Sequence, residues 1–347
     1  MRRFEPNLLP MHIGSMPHAD ATIACELTFR HFPQIPTWPQ LPRRSPLENM
    51  YTQFSQRFPG LVVDSEANRI YVDREADLDA ALEQLYLAYL NNDLEFGRVT
   101  PDHAAGLEAF LQRLPQHRAT LLAIKGQVTG PVSWGLRVSD QTRRPLLYDE
   151  ILADAIAKFL RLKAAWQEQQ LRRAFSETIV FVDEPYLANF GSALIPIQRH
   201  QVITLIEEVL LGIQGLKGAH CCGNTDWSIL LETSIDVLSF DAYGYGHTLA
   251  LYPDAVRAFL ERGGVVAWGI VPHNDHILYE TAESLLGHLE RAWSHLERKG
   301  IPREQILAAS LVSPACGTGT LREDMAERVF ELTAQVSELA REKYSCK

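Results

Sequence analysis

From about residue 118 onward, short apolar runs alternate with longer stretches of helical period. Thr120–Lys125, Ile179–Asp183, Gly218–Cys222, Val237–Asp241, Val265–Ile270 and Ile306–Val312 are almost wholly apolar. Parallel strands covered on both faces have that character. Between the runs, apolar residues recur every three or four positions. Leu152, Ile156, Phe159, Leu162 and Trp166 form one such stripe, and Val202, Leu205, Ile206, Val209 and Leu210 a second. Leu285, Leu289, Trp293 and Leu296 form a third, and Met325, Val329, Leu332, Val336 and Leu339 a fourth. Such alternation predicts βαβ units and a parallel sheet.

The N-terminal third is less regular. Leu8–Ser15 predicts a first strand. Prolines at 33, 36, 39, 42 and 46 exclude a helix and predict an extended, rigid loop. Leu61–Val63 and Ile70–Val72 around the SEANR sequence predict a hairpin, and Leu78, Leu82, Leu85 and Tyr89 a helix. An eighth strand falls at Leu61–Val63 or Leu94–Val99. The economical architecture is α/β: a single (β/α)8 TIM-barrel domain over residues 1–347, with residues 16–75 partly a loop and hairpin insertion at its mouth. A doubly wound open sheet is the alternative, but no G-x-G-x-x-G follows the first strand.

Composition narrows the function. With 46% hydrophobic and 22% charged residues the chain is an ordinary globular one. Its net charge of −10, with basic residues clustered only in pairs such as Arg43-Arg44, argues against a nucleic-acid partner. No uninterrupted apolar stretch approaches the roughly 18 residues of a membrane span, and the N-terminus lacks the apolar core of a signal peptide. A cytoplasmic location is the expectation. Five cysteines, an odd number, argue against a disulfide framework. The thiols are then spectators, metal ligands or nucleophiles.

In a parallel barrel the chemistry sits at the C-terminal ends of the strands. His220 and Cys222, two apart on a strand, share one side, while Cys221 faces the other. Cys316 follows a later strand, and Asp241 ends the strand between. Two thiolates, an imidazole and a carboxylate suit tetrahedral zinc. Asp241 is a fourth ligand or an acceptor hydrogen-bonded behind the site. Asp183 and Glu184 end another strand. They contact a substrate, or Asp183 caps the helix before Pro185. Gln127 to Pro131 line a pocket or set a turn, and Tyr186 stacks on a flat ligand or packs. Cys25 and Cys346 lie at no strand end.

Gly14-Ser15, Thr129-Gly130-Pro131-Val132, Val182-Asp183-Glu184-Pro185, His220-x-Cys222 and Pro314-x-Cys316-Gly317 occur in this order. The set resembles the C-terminal catalytic barrel of cobalamin-independent methionine synthase, across nearly the whole chain. The HCCGNTDW stretch is also similar to methylcobamide:coenzyme M methyltransferases, and through them to uroporphyrinogen decarboxylase. The resemblance implies a TIM barrel and a zinc ion, held at His220, Cys222 and Cys316, that binds a small thiol acceptor. Homocysteine is the first expectation and coenzyme M the second. It implies that Asp183 takes the acceptor's amino group and that Ser15 contacts its carboxylate. The family has a glutamate where this strand ends in Asp241, one methylene shorter. Full-length synthases carry a second barrel that helps hold the folate tail. With 347 residues leaving no room for it, a methyl-corrinoid, free or on a partner protein, stands beside methyl-folate as donor. Pro101-Asp102-His103-Ala104-Ala105-Gly106 departs by one position from the D-x-H-x-x-G of corrinoid-binding modules. The decarboxylase branch has an arginine-rich N-terminal segment, whereas this chain has Trp38-Pro39-Gln40-Leu41-Pro42.

Overall fold

A computed structural model describes residues 4–64, 69–192 and 197–344. Six parallel strands form the central sheet: β1 (Ile124–Thr129), β2 (Thr178–Asp183), β3 (Leu216–Cys221), β4 (Val237–Phe240), β5 (Val265–Val271) and β6 (Ser310–Pro314), in that spatial order. Helices such as Glu150–Ala174, Arg199–Leu210, Pro253–Glu261 and Ala282–Glu297 connect successive strands, and Glu323–Lys343 follows the last. The predicted helical stripes lie within these helices. The predicted strands shift in two places. The first starts at Ile124 rather than Thr120, and residues 303–308 are helical, so the last begins at Ser310.

The two N-terminal segments lie against the edges of this sheet. Leu8 and Met11 donate to the carbonyls of Ser310 and Val312, and Val312 donates back to Leu9, along β6. Gln40 donates to Gly14 and Met16 to Gln40. On the other side, Trp38 donates to Lys125, and Lys125 to Pro36, along β1. Neither edge strand is therefore open. The segments are irregular, with isolated parallel bridges at Pro10, Ser15 and Thr37 rather than a ladder. Proline removes a ladder donor, which explains both the irregularity and the extended path of residues 33–42. Helix Ala21–His31 joins the two segments, so residues 16–45 are strand-like and helical rather than loop alone.

The expected hairpin forms from Leu61–Asp64 and Arg69–Val72, with Ser139–Asp140 beside it. Residues 65–68, which hold most of the SEANR sequence, and Cys346 lie outside the described residues. Leu94–Gly97, an eighth-strand candidate, is a 3-10 turn. No helix among the described residues is long and apolar enough to cross a membrane.

The sheet has two buried faces with different company. Val180, Val182, Leu238, Trp268 and Val312 pack into the large core shared with the helices. Ile179, Phe181, Val237, Val265, Ala267 and Leu311 form a separate cluster with Leu9, Met11 and Ile35 of the N-terminal segments. Alternation along each strand also assigns the polar side chains of that second face. Gln127, Asp183, His220, Ser239 and Ser313 occupy it, all buried, above the apolar residues, and the buried Lys125 lies on the same face nearer the start of β1. An apolar floor thus carries a polar layer.

Candidate metal and thiol site

Register carries the polar layer from strand to strand. Asp183 lies opposite His220, and His220 opposite Ser239. At the end of β3, the side chains of His220 and Cys222 meet Cys316, which follows β6. Their ligand atoms all lie within 4.8 Å of one another, the one such group of three or more among the described residues. His220 is buried and the two cysteines are half-buried. The His220 Nδ1 lies 3.0 Å from Ser239 Oγ. Its Nε2 is buried without a hydrogen-bond partner. A buried polar atom left unpaired is costly unless something else binds it. An imidazole nitrogen facing two thiols is a soft donor set of the kind that zinc takes, so these residues fit the ion their pattern implies.

A hydrogen bond between the thiols splits their acidity. It pulls Cys222 down, helped by His220, and pushes Cys316 up. Cys221, on the same strand, is different. It packs in the large core with Sγ 3.5 Å from the Gly223 carbonyl, and burial pushes its thiol up to about 12. Cys25 is likewise buried and raised to about 12.

Asp241 is not among the three converging residues. Its Oδ1 accepts from Gly244 N at 2.8 Å, capping the turn at Ala242–Tyr245. Its carboxyl is pushed up by burial, with Cys222 adding to the rise while the Gly244 N–H, His273 and His220 oppose it.

Asp183 is 7% exposed, and its Oδ1 has no hydrogen-bond partner. Burial raises its carboxyl, while His220 and the Lys125 ammonium oppose that rise. Lys125, 1% exposed, donates to the Ile13 carbonyl at 2.6 Å and to Gln127 Oε1 at 3.2 Å. Its Nζ lies 4.6 Å from the centre of the Phe181 ring, and burial pulls its pKa down. It sits between the apolar floor and the polar layer.

Glu184 points elsewhere. Its Oε1 accepts from Val132 N at 2.9 Å, and its Oε2 accepts from Ser133 N at 2.8 Å and Ser133 Oγ at 2.6 Å. Both oxygens are engaged at the start of helix Pro131–Arg137. Gly130 permits this, since a Cβ there would lie 2.3 Å from the Glu184 carboxyl. Gln127 is tied to Lys125 and to the Trp38 carbonyl, and it presses on Gly14, whose φ of +135° suits glycine. Ser15 accepts at its carbonyl from Thr318 N and Oγ1, against a loop where Cβ atoms at Gly317 and Gly319 would collide with it. Tyr186 N donates to Ser133 Oγ, and the Tyr186 ring stands edge-on to Tyr51 at 6.4 Å.

Tyr51 and Ser239 escaped sequence reading, and Ser313, seen there at a strand end, was given no role. Tyr51 comes from a short helix before the hairpin, and its phenol is raised by burial first, with Tyr186, Glu184 and Cys222 adding to the rise. Ser313 is fully buried with its Oγ unpartnered. A strand-borne serine carries no signal of its own. Counting two residues up from Leu311 would have placed Ser313 on the inner face.

No protein-family model matches the chain, and no curated protein sequence matches it either. It is similar in structure to a B12-independent methionine synthase from Shewanella sp. W3-18-1, in complex with selenomethionine. That likeness has 18% identity and a TM-score of 0.46 over 69% of this chain and 68% of that one. A methyltransferase from Methanosarcina mazei is similar at 12% identity and a TM-score of 0.47, over 71% of this chain and 66% of that one. The chain thus spans about two thirds of the length of each.

Proposed function

We propose that this protein is a zinc-dependent S-methyltransferase that moves a methyl group to a small thiol, with homocysteine the first candidate acceptor. The observation that carries the reading is the meeting of His220, Cys222 and Cys316, whose ligand atoms lie within 4.8 Å of one another, with Nε2 the imidazole nitrogen that Ser239 leaves open. The frame is a single (β/α)8 barrel over residues 1–347. Its eight staves are the six sheet strands and the extended segments around residues 8–16 and 35–40, which bond to one another and to both edges. Its setting is the cytoplasm, where thiols stay reduced.

His220, Cys222 and Cys316 would hold the ion, with Asp241 the candidate for a fourth position. Bound zinc supplies the charge that lets a coordinated thiol lose its proton at neutral pH. The chain's own residues do the rest. Asp183, with one oxygen free, takes the acceptor's ammonium, and Ser15 lies near its carboxylate. Lys125 sets a positive charge in the layer that Asp183 shares, favouring the ionised carboxylate. Tyr186 and Tyr51 edge the mouth, where the methyl donor, a methyl-corrinoid or methyl-folate, approaches. Holding thiol and donor in line supplies much of the rate through effective molarity.

The test pairs methylcobalamin and a methyl-folate with a panel of thiols, reading product mass, for wild type and Asp183→Asn. Methylated homocysteine is expected, faster from the corrinoid than from a folate polyglutamate. Asn keeps the shape of the side chain, so zinc content and melting temperature should hold. Loss of a charged hydrogen bond should lower kcat/KM for homocysteine roughly tenfold to a hundredfold, with little change for an alkyl thiol. No methylated thiol from either donor would refute the function. An equal loss on both thiols with a lowered melting temperature would make Asp183 structural.

A further inference from the structure

We propose that Ser239 is a positioning residue that decides which nitrogen of His220 faces the two thiols, an assignment that rests on the metal reading above. Neutral imidazole has one donor nitrogen and one acceptor; a hydroxyl can pair with either, so Ser239 fixes the orientation of the ring, and an ion on Nε2 requires the tautomer in which Nδ1–H donates to Oγ. Ser239 Oγ lies 3.0 Å from Nδ1, and the hydroxyl is fully buried on the strand paired with that of His220. When Oγ accepts from Nδ1–H, the lone pair stands on Nε2, the atom turned to Cys222 and Cys316. The next residue, Phe240, faces the other way. It packs between Trp227 and Trp268 at centroid distances of 5.0 and 5.5 Å, which holds β4 and therefore the hydroxyl in place.

The choice of a hydroxyl has a chemical consequence. Ligating histidines commonly lean on a carboxylate or a carbonyl. A carboxylate at position 239 would add a negative charge to a neighbourhood that already holds two thiols, Asp183 and Asp241. Serine orients the ring and leaves that charge unchanged.

The test measures ion affinity rather than turnover. Zinc is titrated into metal-depleted protein against a chromophoric chelator, and cobalt(II) is followed by its thiolate absorption. Removing such a partner typically weakens binding about tenfold to a hundredfold. Ser239→Ala should show that loss while keeping the cobalt–thiolate bands, because both cysteines still bind. In a His220→Ala background, adding Ser239→Ala should cost nothing further. Ser239→Thr and Ser239→Val provide a second pair of matched shape, should alanine fail to fold. Threonine should stay near wild type, and valine should fall with alanine. Unchanged affinity in Ser239→Ala, an equal loss in both backgrounds, or threonine as weak as valine would each overturn the assignment alone. A wild-type chain that takes up no zinc would overturn the metal reading and the assignment with it.

Discussion

Lys163 lies in the helix Glu150–Ala174 with its ammonium fully buried. It donates to the Arg98 carbonyl at 3.1 Å and lies over the Phe159 ring at 5.0 Å. Burial, helped by Arg57, pulls its pKa from 10.5 down to about 7, and His103 is a further basic neighbour. Between those two values the unfolded chain binds a proton that the native one does not. Stability therefore rises with pH through the window from about 7 to 10.5. Lys163→Met should raise the melting temperature at pH 7, by roughly 2–4 kcal/mol in stability, and flatten that rise. Melting curves of both proteins from pH 6 to 10 check this, and parallel curves would contradict it. Nothing in the sequence marks Lys163, which lies beside an apolar stripe and reads as an edge of the helix. By contrast, Cys221 and Cys222 were separable in advance, because alternate residues of a strand must face opposite ways. The structure sends one into the core and the other to His220.

The elements that sequence reading misplaced were misplaced for a physical reason. The apolar run is Thr120–Lys125, whereas the strand is Ile124–Thr129. The inner face of that strand is polar where it meets the site, at Lys125, Gln127 and Thr129. Buried polar residues erase the apolar signature of the strand that carries them. The Ile306–Ala308 run erred the other way, since a short apolar stretch rich in Leu and Ala suits a helix equally well. Glu184 shows the same limit within one residue pair. Sequence reading places both acids at the acceptor, and the structure commits both oxygens of Glu184 to helix Pro131–Arg137. Glu184→Gln turns an accepting oxygen into a donor that faces Val132 N or Ser133 N. It should cost about 2–3 kcal/mol and lower the melting temperature by several degrees. A Glu184→Gln protein that melts like wild type but binds its acceptor poorly would instead return Glu184 to the pocket.

At the scale of the whole molecule, the ligand set depends on residues 220, 222 and 316, brought together from the ends of β3 and β6. Composition could not show that convergence, but strand counting could, because the C-terminal ends of parallel strands share one side of the sheet. What stayed hidden was how the sheet's edges are covered. The proline stretch carries no strand signature, although Trp38 and Lys125 bond across it. The convergence itself is the central claim, and metal content measures it most directly. Zinc per chain is determined for wild type, Cys221→Ser, Cys222→Ser and Cys316→Ser after equal exposure to the ion and removal of excess. Close to one zinc is expected in wild type and in Cys221→Ser, and loss of most of it in each of the other two. Equal zinc in Cys222→Ser and wild type, or a Cys221→Ser protein as depleted as Cys222→Ser, would contradict it.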